Sequence, residues 1–169
     1  PRSLLEPPMA FILSAQREPD FLGAAFEHYR AYLAAHAEAF PAGAFALATS
    51  DWYFDFRDHR CPHDAWLESL SVNEPASGER NECRATEIRV RLLGAYHDGF
   101  IEFRYSRVFR YTMAAPAAER GLGDWLYDEF RVSPDGRVIH EIEWAGFGEG
   151  PESRWLIEAS DVEFEWIPS

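Results

Sequence analysis

The hydrophobic positions of this chain change their spacing once, at Pro41. Upstream of it, apolar residues recur at helical spacing, at Leu22, Phe26, Tyr29, Leu33, Ala37 and Phe40. Asp20 precedes this stripe, and an acidic residue in that place is a favoured N-cap. The pattern therefore predicts one helix that is capped by Asp20, runs to about Phe40 and is stopped by Pro41.

Downstream of Pro41 the apolar residues alternate with polar ones, which is typical of half-buried strands. The alternating runs cover residues 52–56, 66–72, 88–93, 100–105 with an extension over 108–113, 125–132, 137–144, 154–159 and 162–167. Turn residues separate neighbouring runs at 97–99, 133–136 and 160–161. These signals predict an α+β fold in which an N-terminal helix packs on a twisted, mostly antiparallel sheet of about seven or eight strands.

Length and composition limit the class of protein. A chain of 169 residues fits one domain. We expect this domain to span residues 9–169, with residues 1–8 as a cloning remnant or upstream extension.

All 16 basic residues are arginine, a bias typical of a GC-rich genome, so we expect a bacterial source. Two cysteines in a chain this long predict free thiols and a cytoplasmic protein. No apolar run reaches the roughly 18 residues that a membrane span needs.

Charge is distributed unevenly along the chain. Of 29 acidic residues, 12 lie between Asp124 and Ser169, opposed there by three arginines, whereas six arginines face three acidic residues between Arg84 and Arg110. This polarity indicates either strands that pair with each other through charge or a surface for a basic partner. The net charge of −13 argues against nucleic acid as a partner, because phosphate binding needs a basic face.

The acidic C-terminal segment contains the candidate partner-binding residues. They are Glu141, Glu143, Trp144, Glu158, Glu163 and Glu165, with Trp155 and Trp166 as further aromatic anchors. If the last strands are neighbours, the glutamates form one stripe, and like charges side by side destabilise a sheet unless arginines lie opposite. The stripe is interpreted either as a solvated face or as a surface that binds a basic protein.

Two other groups of residues have ligand or acid–base chemistry. His59, Cys61 and His63 alternate, so an extended segment would present three zinc ligands on one side. The alternative is a polar connection in which His63 and Asp64 bond backbone groups. His140, near Asp128 and Glu129, is either a general base or a buried histidine satisfied by a neighbour. No sequence motif for a cofactor is present, and we predict none.

Three short segments carry a resemblance: His63-Asp64-Ala65-Trp66-Leu67, residues 92–99, and residues 161–166. Over about residues 61–167 the chain resembles small uncharacterised bacterial domains, some of which lie beside polymorphic toxins and are taken to be immunity proteins. The N-terminal helix is not part of that pattern. The resemblance implies inhibition by binding and supplies no catalytic residue.

The leading hypothesis is therefore an acidic, immunity-type protein that neutralises a basic toxin or enzyme. The alternative is a small enzyme or ligand-binding domain with a pocket built on His59, His63 and His140, dependent on metal if Cys61 joins them. A homodimer is a third possibility.

Overall fold

The computed structural model describes residues 10–15, 17–115, 121–146 and 153–169. The proposed remnant or extension over residues 1–8 lies outside them. The elements in chain order are α1 (Pro19–Ala35), α2 (Ala42–Ala48), β1 (Trp66–Asn73), β2 (Ala76–Ser77), β3 (Cys83–Arg84), β4 (Thr86–Leu93), β5 (Gly99–Met113), β6 (Trp125–Val132), β7 (Val138–Trp144) and β8 (Ser153–Pro168). The predicted α+β class with an antiparallel sheet is confirmed.

Six strands form one antiparallel sheet in the order β1-β4-β5-β8-β7-β6, and β2 and β3 form a separate pair. The sheet curls until its two edge strands meet at one end. There, the Asp64 N–H donates to the Trp125 carbonyl at 2.8 Å, and the Trp125 N–H donates to the Ala65 carbonyl at 2.9 Å. Apolar residues from β4, β5, β6, β7 and β8 fill the enclosed space.

Helix α1 buries Ala25, Tyr29 and Leu33, in agreement with the predicted stripe. Its ends differ from the prediction. Pro19 occupies the first helical turn, where its missing N–H costs nothing, so Asp20 lies inside the helix and Glu18 is the N-cap. The helix ends at Ala35, where the Tyr32 carbonyl accepts from the His36 backbone N–H at 3.1 Å and lies 2.8 Å from the His36 ring Nδ1.

Tyrosines of α1 bond to the free edge of β6. The Tyr29 hydroxyl accepts from the Phe130 N–H at 2.7 Å and donates to the Phe130 carbonyl at 2.9 Å. One turn later, the Tyr32 hydroxyl accepts from the Val132 N–H at 3.0 Å. The helix therefore replaces the neighbouring strand that β6 lacks on this side.

The strand predicted over residues 52–56 is wrong. This segment consists of turns, and the unpredicted helix α2 precedes it. The aromatic alternation has a different cause: Tyr53 is fully buried in the core, while Trp52 packs against Phe164 with ring centroids 4.8 Å apart. A helix of seven residues gives too weak a periodic signal to identify from the sequence.

The last two predicted strands are one. Strand β8 continues through Ser160 and Asp161, where the sequence predicts a turn, and Asp161 pairs with Ser106 of β5. Instead of closing a turn, the Asp161 carboxylate accepts from the N–H groups of Gly43 and Ala44, both at 2.9 Å, and so caps α2. An aspartate that bonds a distant helix has the same sequence signature as one in a turn.

The other hairpins agree with the prediction. Strands β6 and β7 are joined by residues 133–137, in which Gly136 has φ +71°, a conformation that favours glycine. Strands β4 and β5 are joined through Asp98, and β5 runs on to Met113 with a register shift after Val108. Ile88, Val90 and Leu92 are buried as predicted, because their face of β4 lies on the core.

Replacement of Gly43 tests the packing of α2 on β8. A Cβ at this position would lie inside van der Waals distance of the Val162 carbonyl oxygen and 2.9 Å from Asp161 Oδ1. We expect Gly43→Ala to lower the free energy of unfolding by about 1–3 kcal/mol in urea titrations, because backbone must move. Gly23→Ala is the matched control: it meets nothing within 4 Å on α1 and should raise stability by about 0.5–1 kcal/mol. Equal effects of both substitutions would contradict the close contact.

Candidate functional site

The structure brings His140 and Asp128 together in the core. His140 Nε2 lies 2.8 Å from Asp128 Oδ2, and His140 Nδ1 lies 2.7 Å from the Tyr105 hydroxyl. The Asp128 carboxylate also accepts from the Tyr53 hydroxyl at 2.8 Å and from Trp125 Nε1 at 3.0 Å. The network joins β5, β6, β7 and the segment before β1.

This network has the order of an acid–base triad, but it is closed to substrates. His140 is 0% and Asp128 3% exposed, and both tyrosines are equally buried. Burial raises the pKa of Tyr53 and Tyr105 well above the ordinary value, so both hydroxyls keep their protons. With Tyr105 as donor to Nδ1, His140 donates from Nε2 to Asp128. The geometry therefore corresponds to the buried, satisfied histidine, and its function here is to hold the core together.

The predicted trio His59, Cys61 and His63 is not arranged around one point. His59 stacks on Tyr96 and pairs with Asp98 at 2.5 Å, whereas the His63 ring lies on Phe56 with its Nδ1 2.5 Å from the Leu126 carbonyl. The segment is a series of turns and not the extended strand that the prediction needed. Within the described residues, no group of three or more His, Cys, Asp or Glu side chains is placed to hold a metal ion.

The candidate partner-binding residues do come together, since β7 and β8 are neighbours. However, Glu143 and Trp144 are both 0% exposed. Trp144 lies in the core against Trp125 and Trp155. Glu143 pairs with Arg17 and, at 3.1 Å, with Arg154. These two residues are therefore not available to a partner in this fold.

Most of the remaining glutamates in the stripe face arginines. Glu141 pairs with Arg131 and Arg154, Glu158 with Arg110 and Arg137, and Glu165 with Arg104. Glu163, also exposed, lies opposite Arg104 in the register of β5 and β8. Arginines of the basic middle segment thus pair with glutamates of the C-terminal strand. The uneven charge distribution therefore corresponds, in this part of the sheet, to strands that pair with each other through charge.

The N-terminal segment covers part of this acidic face. The Glu129 carboxylate, 0% exposed, accepts from the N–H groups of Phe11 at 3.0 Å, Ile12 at 2.8 Å and Leu13 at 3.4 Å. Burial raises the pKa of Glu129, while Arg131 and these three N–H groups act in the opposite direction. No local sequence signal predicts this contact, because its partners lie more than 100 residues apart.

A cleft of about 620 Å³ lies between α1, α2 and the segment after α2. Three phenyl rings line it, with Arg30, Asp51 and the Arg57–Asp55 pair at its polar side; the rings are those of Phe26, Phe45 and Phe54. None of the sequence-predicted site residues lines this cleft.

Residues 68–85 form a protruding arm, a name we use for the outer part of β1 with β2, β3 and their connections. Every residue of the arm is exposed. With Thr86 and Glu87, it contains five glutamates and two arginines. Glu74, Glu79, Glu82 and Glu87 form no salt bridge with other described residues, whereas Glu68 pairs with Arg91 at 2.6 Å. The sequence predicts a strand over residues 66–72, which β1 confirms, and a polar loop from Asn73 to Cys83, where the structure forms the short β2–β3 pair.

Comparisons of the sequence with known protein families and curated proteins, and of the fold with solved structures, found no match. Among the described residues, no helix has both the length and the apolar character needed to cross a membrane.

Substitution of Asp128 tests the structural role of the buried network. In Asp128→Asn, one oxygen remains to accept from Tyr53, His140 and Trp125, so buried donors lose their acceptor. We expect the free energy of unfolding in urea to fall by about 2–3 kcal/mol. Asp135→Asn, in the exposed turn between β6 and β7, is the control and should change stability by less than about 0.5 kcal/mol. An equally small effect at Asp128 would contradict the assignment.

The two cysteines should react very differently with thiol reagents. Burial raises the pKa of the Cys61 thiol to about 12, whereas Cys83 is exposed on β3. At pH 8 we expect iodoacetamide to label Cys83 alone in the folded protein, since the thiolate is the nucleophile. Both residues should be labelled in urea, which is the control. Rapid labelling of Cys61 in the folded state, read by peptide mass spectrometry, would show that its site opens.

Proposed function

We propose that this protein binds and neutralises a basic protein partner, the immunity-type function that the resemblance implies. The observation that carries the proposal is the acidic arm: Glu74, Glu79 and Glu82, which form no salt bridge with other described residues, lie on a segment that is exposed throughout, and the half-buried Glu87 follows it. The arm also contains Arg80 and Arg84, so its glutamates leave an excess of negative charge. An excess of one charge destabilises a protein slightly by self-repulsion and speeds the approach of an oppositely charged partner.

The glutamates of β7 and β8 that form salt bridges are less suitable for binding a partner than the glutamates of the arm. Glu141, Glu158 and Glu165 already have arginine partners, so a basic protein would have to compete with intramolecular salt bridges there. Of the six predicted binding residues, Glu163 is the most suitable to assist the arm, because it is exposed and forms no salt bridge within the described part of the chain. The alternative, a metal or acid–base pocket built on His59, Cys61, His63 and His140, has no support from the positions of these side chains.

Affinity capture from a bacterial lysate, at low and moderate salt, tests the proposal. We expect one basic protein in near-stoichiometric amount, and its yield should fall at the higher salt because exposed charges are screened. The triple variant Glu74→Arg, Glu79→Arg, Glu82→Arg should lose most of this capture.

The matched control also reverses three charges, in Glu18→Arg, Glu27→Arg, Glu38→Arg. All three residues are exposed and lie before, on or just after α1, so the control changes net charge equally without touching the arm. Equal loss of capture in both variants would mean that overall charge, and not the arm, attracts the partner. Capture of nothing basic by the unchanged protein would overturn the proposed function.

A further inference from the structure

The arm presents one unpaired backbone edge. In the β4–β5 hairpin, the Gly94 N–H donates to the Gly99 carbonyl at 3.0 Å. Because bonded pairs alternate along antiparallel strands, Arg89 and Arg91 point their backbone groups away from β5 and toward β1. Their partners on β1 are Ser71 and Ser69. The alternate residues, Leu70 and Val72, therefore point their N–H and C=O groups outward.

This edge has defined ends. At Trp66, β1 forms a bridge with Asp124, and the register shifts between Leu67 and Ser69. At the other end, Pro75 has no N–H to donate. Between them, Ser69–Glu74 has no backbone bond to another described residue on its outer side. The open stretch is about as long as a strand added to a sheet edge.

The side chains at this edge are apolar on one face. Leu70 is 38% and Val72 41% exposed, and they lie opposite Val90 and Ile88, which are fully buried. A strand placed beside β1 would extend the apolar face of the sheet and cover both side chains. Exposed edges with apolar residues are the ones that accept another strand.

Charge distinguishes between two candidates for the added strand: β1 of a second copy of this chain and a basic strand of another protein. A second copy would pair with this one most favourably with Leu70 opposite Val72, since that register matches both the outward backbone groups and the apolar side chains. The same register places Glu68 opposite Glu74 at both ends, and like charges opposite each other are destabilising. A basic strand has no such conflict. A cation opposite Glu74 would meet a glutamate that forms no salt bridge with other described residues, and a cation opposite Glu68 would share it with Arg91.

We propose that the partner adds an antiparallel β-strand to the Leu70–Val72 edge. The two strand residues opposite Leu70 and Val72 are apolar and cover them, and the residues opposite Glu68 and Glu74 are basic. This inference rests on the proposed function for the partner's charge, while the edge itself follows from the strand register alone.

A seven-residue peptide, Arg-Thr-Val-Thr-Val-Thr-Arg, serves as the probe, because it places valine opposite Leu70 and Val72 and arginine opposite Glu68 and Glu74. A copy N-methylated on both valines, which are the residues that bond to the edge, is its control. The methyl groups leave charge unchanged and remove the N–H groups on one edge of the strand. We expect fluorescence anisotropy to show binding of the first peptide and at least about tenfold weaker binding of a copy methylated on the bonding edge. Amide hydrogen exchange should slow on binding at Leu70 and Val72 and stay unchanged at Ser69 and Ser71. Equal binding of both peptides, or binding without protection of the two amides, would overturn the proposal.

A pair of protein variants gives an independent test. Val72→Pro removes an outward N–H that β4 does not use, so the sheet should fold, whereas Val72→Ala removes the same apolar side chain and keeps the N–H. We expect Val72→Pro to bind the unmethylated peptide at least about tenfold more weakly than Val72→Ala, with circular dichroism confirming that both fold. Equal binding would contradict strand addition. If Val72→Pro fails to fold, the comparison of the methylated and unmethylated peptides on the unchanged protein still tests strand addition.

Two further outcomes separate this inference from the proposed function. If Val72→Pro and Val72→Ala capture the basic lysate protein equally well, the function stands and strand addition is wrong. If ultracentrifugation of the free protein shows a dimer, and Leu70 and Val72 become protected as protein concentration rises, the occupant is a second copy and the assignment of a basic strand is wrong.

Discussion

The buried carboxylate of Asp128 is the interaction on which the rest of the structure depends. It accepts hydrogen bonds from Tyr53, Trp125 and His140, and the histidine in turn bonds Tyr105. Because these side chains come from three strands and from the segment before β1, the carboxylate fixes how far the sheet curls. A buried network of this kind stabilises one arrangement strongly, since any displaced member leaves its neighbours unsatisfied. The same closure that protects the network excludes a substrate from it.

A second constraint acts on the outer face of the sheet. The glutamates of β7 and β8 would repel one another if each were left alone, and the fold places arginines of β5, β6 and the N-terminal segment against them. Most of the glutamates in β7 and β8 therefore form salt bridges within the fold. The glutamates of the arm other than Glu68 are different, because they form no salt bridge with other described residues. Such residues are better candidates for binding than those that the sequence pattern emphasises.

The sequence predicts elements well where local chemistry determines them. Strand β6 was predicted to the residue, since Ser133-Pro134-Asp135-Gly136 sets the turn that follows it. Prediction fails where a local signal has a distant cause. Asp161 resembles a turn residue but caps α2, and the aromatic alternation around Tyr53 resembles a strand but provides a hydrogen bond to Asp128. For the site, the sequence suggests His140 near Asp128, but nothing near Tyr53 or Tyr105 in the sequence marks these tyrosines as their partners.

The arm combines two features that normally oppose each other, an open edge with apolar side chains and a surplus of negative charge. Proteins commonly protect open edges with charge, because repulsion prevents two identical edges from pairing. Glu68 and Glu74 have the positions for this at the two ends of the Leu70–Val72 edge. A charge that disfavours a second copy favours a strand of opposite charge by the same electrostatics, so protection and recognition need not be separate features. In the proposed strand addition, the glutamates that oppose pairing with a second copy are the same ones that would attract the basic strand.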